Sequence, residues 1–192
     1  MPDSFATHVV DNQPTPFGPC DPWADDVGLR EAVFREGGEA FAPQLAAYGQ
    51  IAGTRLLQLA DDAHRDRPRL IAYDPYGRRQ DRVEFHPAYH EVMGSAIAHG
   101  VSGLSWAQPQ AGAHVARAAL SYLHYQAEPG SSCPLTMTHA GASVLRREPA
   151  LKEWFDKAAA PHYDSRFTPI SSKQGITLGM GMTEKQGGSD VR

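Results

Sequence analysis

From Pro43 to Leu59 the apolar residues Leu45, Tyr48, Ala52, Leu56 and Leu59 recur at intervals of three and four. That spacing lays them along one side of a helix of 3.6 residues per turn. A strand, whose faces alternate every second residue, would scatter them. Pro43 suits the first turn, where its missing N–H is not needed. A helix with one apolar stripe draws its stability from burying that stripe. The chain therefore has to supply further surfaces of the same kind.

It does so repeatedly. Asp25 or Asp26 can cap a helix that stops at Gly37 and Gly38. Pro87 opens another, with Tyr89, Met93, Ala96 and Ile97 on one side, and Gly100 and Gly103 break it. A fourth, from about Gln110 to Glu128, keeps the spacing through Val115, Ala119, Tyr122, Leu123 and Gln126. A fifth begins at Pro134 and reaches Arg146 or Arg147. A short sixth covers Pro149 to Ala159, with Trp154 and Phe155 as expected anchors. Between them, Arg69 to Phe85 holds Asp74-Pro75-Tyr76-Gly77, the residue types of a reverse turn, and fits a small hairpin or an ordered loop equally well. The expected fold class is mainly α, a helical bundle over residues 25–165.

The ends differ from this middle. Pro14, Pro16, Pro19 and Pro22 make residues 1–24 an extended arm without a core of its own. After Pro161 the texture changes. Thr168 to Ser172 read as a connector, with a domain boundary near Ser165 to Lys173, and Gly175 to Met182 is a short apolar run of strand character.

Composition narrows the classes of function. With 41% hydrophobic and 21% charged residues among 192, the chain can bury a sizeable core. No apolar run approaches the roughly 20 residues of a membrane span. The first ten residues lack the positive charge and apolar core of a secretion signal. Two cysteines, Cys20 and Cys133, make no disulfide framework, and the simplest reading is a cytoplasmic protein with reduced thiols. A net charge of −4 gives no reason to expect nucleic-acid binding.

Four constellations could carry chemistry. His86 and His90 lie at the i, i+4 spacing of a shared metal ion, but His86 precedes Pro87, and capping or surface roles are the stronger expectation. Cys133 ahead of a helix resembles an activated thiol; a helix start built from Ser131, Ser132 and Pro134, with Cys133 packed as a small hydrophobe, is the better reading. Arg65, Arg67, Arg69, Arg78, Arg79 and Arg82 are interrupted by Asp66, Asp74 and Asp81, which favours a solvated surface with internal ion pairs over a phosphate site. The tail is different. Gly179-Met180-Gly181-Met182-Thr183-Glu184-Lys185-Gln186-Gly187-Gly188-Ser189-Asp190 joins an apolar run to a glycine-rich polar loop, bringing backbone N–H groups and hydroxyls close to a flat or charged ligand.

Thr183-Glu184 followed by Gly188-Ser189-Asp190 resembles the T-E-x-x-x-G-S-D signature of the acyl-CoA dehydrogenase family. More narrowly, the chain resembles the family's AidB branch, adaptive-response proteins linked to DNA alkylation damage. The likeness runs through residues 7–14, Arg35-Glu36-Gly37, Tyr73-Asp74, residues 77–79, Phe85 to His90, Cys133 to Thr138, Tyr163 to Arg166 and Gly179 to Val191.

The resemblance implies an N-terminal helical domain followed, over residues 166–192, by a linker and the first strand and loop of a middle β-barrel domain. It implies FAD as cofactor. Met180, Gly181, Met182 and Thr183 would run along the flavin ring, and Gly187, Gly188 and Ser189 would approach the pyrophosphate, with Glu184, Lys185 and Gln186 between them. Lys185 stands where many members have proline, as in the AidB branch. The family's catalytic carboxylate comes from a C-terminal domain, so no catalytic residue is expected here. The expected function is therefore that of an N-terminal fragment, inactive alone. The alternative is a stand-alone helical interaction or oligomerisation module. By the same resemblance a homo-oligomer is expected of the full-length family, and any DNA contact would come through a region beyond Arg192.

Overall fold

The computed structural model describes residues 7–181 together with Lys185 and Gly187. A short helix α1 (Pro22–Asp25) leads into α2 (Val27–Arg35). Helices α3 (Ala42–Ile51) and α4 (Leu57–Arg65) are joined by a π turn, Ala52–Leu56, into one rod. Strands β1 (Arg69–Tyr73) and β2 (Arg79–Glu84) form an antiparallel hairpin, with Arg69 opposite Glu84 and Leu70 opposite Val83. Then come α5 (Pro87–Ala98), α6 (Leu104–Ala107), α7 (Ala113–Ala127), α8 (Ser132–Leu145) and α9 (Lys152–Ala159).

The α3–α4 rod, α5 and α7 enclose the centre. Leu45, Tyr48, Leu56, Val92, Met93, Leu120 and Leu123 are almost fully buried there, each large apolar side chain contributing about 1.5–3 kcal/mol. The stripe from Leu45 to Leu59 is the buried face expected of it. Asp26 caps α2, its Oδ1 accepting the Leu29 N–H at 2.8 Å. Between β1 and β2 the Asp74 carboxylate accepts the N–H groups of Tyr76 and Arg78, both at 2.8 Å, and Gly77 takes φ +76°. The hairpin is thus the realised alternative for this stretch.

Several expectations are corrected. The buried face of α7 consists of Ala116, Ala119, Leu120, Leu123, His124 and Ala127; Tyr122 is 50% exposed and Gln126 is exposed. The stripe is rotated because a histidine, His124, belongs to it. Ala158 and Ala159, rather than Trp154 and Phe155, anchor α9, and Trp154 is 41% exposed. Helix α8 starts at Ser132, two residues before Pro134. Ser131 is its N-cap residue and makes no side-chain capping bond; the Glu128 carboxylate closes the turn before it, accepting the Gly130 and Ser131 N–H groups at 2.8 and 2.6 Å. Cys133 is exposed rather than packed.

The N-terminal arm also departs from expectation. Residues 7–19 are exposed, but the segment Cys20–Trp23 packs onto α3 and the π turn. Trp23 is buried, and the Cys20 N–H donates to the Gly53 carbonyl at 3.0 Å. At the other end, residues 175–181 are extended and pair with no strand among the described residues. Arg65, Arg69 and Arg79 pair with Asp62, Glu84 and Asp81 at 3.1, 2.6 and 2.6 Å. These exposed pairs contribute little to stability.

Candidate functional site

Three of the sequence motifs converge on one groove. At the start of α5, Phe85 and Tyr89 stack with ring centroids 4.3 Å apart, and one turn on, His90 Nδ1 meets the Tyr163 hydroxyl at 2.7 Å. Together with Met93 and Met137 these side chains wall a groove of about 790 Å³ that Leu178 and Gly179 also line. Burial pushes the Tyr163 phenol up and the His90 imidazole down from their ordinary values. Both are therefore neutral near pH 7. A neutral phenol and a neutral imidazole share one hydrogen bond, which fixes the orientation of both rings.

The loop that follows is tied by one carboxylate. Asp164 takes the Arg166 guanidinium at 2.9 and 2.6 Å and accepts the Gln174 N–H at 3.1 Å. The Arg166 hydrogen bonds hold the Asp164 carboxyl well below the usual carboxylate range. Arg166 also donates to the Ser172 carbonyl at 2.7 Å, so residues 164–174 close into a compact loop.

The chain then runs along α9 and α8. The Ile176 N–H donates to the Lys157 carbonyl at 3.2 Å. The Thr138 hydroxyl donates to the Pro134 carbonyl at 2.7 Å and accepts the Leu178 N–H at 2.9 Å. Gly141 permits this approach, since a Cβ there would lie 2.7 Å from Leu178 Cδ1. Thr138→Val keeps the shape and removes the acceptor. The expected cost is about 1 kcal/mol, with faster hydrogen exchange at the Leu178 amide; an unchanged exchange rate would show that the hydroxyl does not anchor the segment.

Beyond that anchor, Met180 is half-exposed, and no described residue comes within 4 Å of a Cβ built on Gly179 or Gly181. Of the residues singled out in the sequence, Met180, Gly181, Lys185 and Gly187 are described. Met182, Thr183, Glu184, Gln186, Gly188 and Ser189 lie outside the described residues.

The histidine pair resolves into two separate roles. His86 caps α5, its Nδ1 accepting the Ala88 N–H at 3.2 Å, and His90 belongs to Tyr163. Among the described residues no three His, Cys, Asp or Glu side chains are grouped to hold a metal ion. The His90–Tyr163 contact spans 73 positions and was not visible as a pair in the sequence. Their separate motifs were the available signal.

Residues 12–165 match the family model described as the adaptive response protein AidB N-terminal domain. The chain belongs to that family. It is 44% identical over 191 residues to AidB of Escherichia coli (strain K12), a candidate acyl-CoA dehydrogenase by its name, covering 97% of this chain and 35% of that protein. Among solved structures, Caenorhabditis elegans ACDH-11 in complex with C11-CoA superposes with a TM-score of 0.74 at 23% identity, over 97% of this chain and 32% of that one. The apo form of Bd2924 gives 0.76 at 23%, over 90% and 34%. At that identity the two structures speak to the fold alone. This AidB N-terminal domain spans about a third of the length of the proteins it matches. None of its described helices is long and apolar enough to cross a membrane.

Proposed function

We propose that the chain supplies the helical N-terminal domain and the first flavin-contacting segment of an AidB-type, FAD-dependent acyl-CoA dehydrogenase associated with the DNA alkylation response and assembling as a homo-oligomer. The observation that carries this reading is the anchoring of Leu178 on Thr138, which sets Leu178 and Gly179 in the wall of the aromatic groove, directly before Met180 and Gly181 in the chain. The described part of the segment suits a flavin. It forms no helix, Gly179 and Gly181 are uncrowded by described residues, and at those two positions an approaching ring would meet main-chain groups rather than side chains.

By the family resemblance Met180, Gly181, Met182 and Thr183 would hold the ring, and Gly187, Gly188 and Ser189 the pyrophosphate. When bound, FAD supplies the hydride acceptor for dehydrogenation. The chain's own part is to position: Thr138 fixes the segment, and the Asp164–Arg166 loop fixes its approach. His90 and Tyr163 offer a neutral, oriented pair at the groove wall. No residue of this chain is assigned the removal of a proton from substrate.

The test compares this chain alone with a fusion in which the E. coli AidB sequence continues it beyond the matched region. Flavin absorbance after dialysis should show about one FAD per folded fusion and negligible flavin on the chain alone. A fusion that melts cooperatively yet retains no flavin would refute the reading.

A further inference from the structure

A second cavity, of about 350 Å³, lies between the end of α4, the start of α5 and the turn from α7 into α8. It shares only Phe85, Tyr89 and Pro134 with the groove described above, and its lining is wholly within the described residues. Most of its wall is apolar, including Ala63, Pro68, Phe85 and Val92. Into it faces Glu128, whose residue is 4% exposed.

Burial pushes the Glu128 carboxyl up, but hydrogen bonds from Ser131, His64 and Gly130 outweigh that effect and hold it below its ordinary value, so it is ionised. A buried carboxylate ordinarily has a cationic partner. Among the described residues it meets His64 Nε2 at 3.0 Å, on a side chain that is 58% exposed, and no lysine or arginine is paired with it. The cavity thus combines an apolar slot of small-ligand size, a buried anion in its wall, and a solvent-exposed imidazole beside that anion. The Tyr89 ring and His86 line the same wall.

We infer that this cavity is a binding site for a small organic cation, a flat or short apolar body carrying an amine or amidine that pairs with Glu128 in place of His64. The inference is independent of flavin binding, since every residue it uses lies between positions 63 and 134.

Benzamidine tests it, with benzamide as the neutral isostere, on the 192-residue protein. The backbone amides of Gly130 and Ser131 both donate to Glu128, and their NMR shifts report the contact. Benzamidine should saturate with a Kd of about 1 mM or tighter, and benzamide should bind at least about tenfold more weakly. Ala63→Phe, which fills the slot without touching the turn that Glu128 closes, should abolish the response in a protein that still melts cooperatively. Glu128→Gln should erase the preference for the amidine. Unmoved amides, equal affinity for the two probes, or undiminished binding by folded Ala63→Phe would each overturn the proposal.

Discussion

Replacing Gly53 by alanine is expected to lower the unfolding free energy by about 2–4 kcal/mol, although alanine is by itself the better helix former by about 1 kcal/mol. The new Cβ would lie 2.0 Å from the Cys20 carbonyl oxygen and 2.7 Å from Pro22 Cδ. The nearest of these is main chain, so no rotamer change relieves the clash. The π turn that contains Gly53 and the helix before it form the seat of the N-terminal segment. Gly49, one turn earlier, would place a Cβ 2.5 Å from Trp23 Cβ. Displacing the segment breaks the hydrogen bond from Cys20 to Gly53, uncovers Trp23, and separates Trp23 from the edge of Phe34, 6.4 Å away. Urea unfolding should show the midpoint fall, and tryptophan emission should move to the red in a way that Trp23→Phe removes. Gly28→Ala is the control, because its Cβ would meet only Asp26 Oδ1 at 3.5 Å. Equal stability of the two variants would show that the seat holds nothing.

Stability should also fall steeply with acid, and His124 is the reason. Its Nδ1 meets the Tyr48 hydroxyl at 2.8 Å and its Nε2 the Ser131 hydroxyl at 2.7 Å, and burial drives its pKa from 6.5 down to about 4 against the opposing pull of Glu128. Above pH 6.5 the imidazole is neutral in both folded and unfolded chains, and the full stability is present. As pH falls below that value the unfolded chain takes up a proton that the folded chain refuses. Stability then drops by about 1.4 kcal/mol per pH unit until the folded pKa is reached, about 3 kcal/mol in all. Glu128 acts in the opposite range: its carboxyl is held below 4.5, so its contribution is lost only under more acid conditions. His90 and His139 are also lowered by burial and add to the same window. The discriminating measurement is therefore the difference between the native protein and His124→Gln in urea unfolding from about pH 7 to about pH 4.5. The variant should be weaker at neutral pH and its profile flatter. Parallel profiles would remove His124 from the account.

Much of the architecture was legible because helical periodicity and its punctuation are local properties. Leu45 to Leu59, Pro87 with Met93, Ala96 and Ile97, and the Asp26 cap all sit where spacing and cap chemistry put them. The α7 stripe was misphased for a definable reason. His124 counts as polar in a periodicity reading, yet its two ring nitrogens are both satisfied by partners from other elements, Tyr48 and Ser131, so it is buried. The seat of Cys20–Trp23 was missed because Gly49 and Gly53 look like weaknesses in a helix until something is packed against them. Trp154 was chosen as an anchor by size, whereas the buried residues of α9 are the small Ala158 and Ala159 at its end.

By itself, then, the sequence determined the mainly helical class, the order of the elements, and the family to which residues 12–165 belong. Each of these depends on residue type and spacing within a single stretch of chain. Tertiary structure alone decided that His90 meets Tyr163 across 73 positions, that Thr138 holds the Leu178 amide across 40, and that Glu128 lines an apolar cavity and meets His64 across 64. Such pairings depend on which helix faces pack together, and packing is settled by the summed burial of the whole core rather than by any one motif.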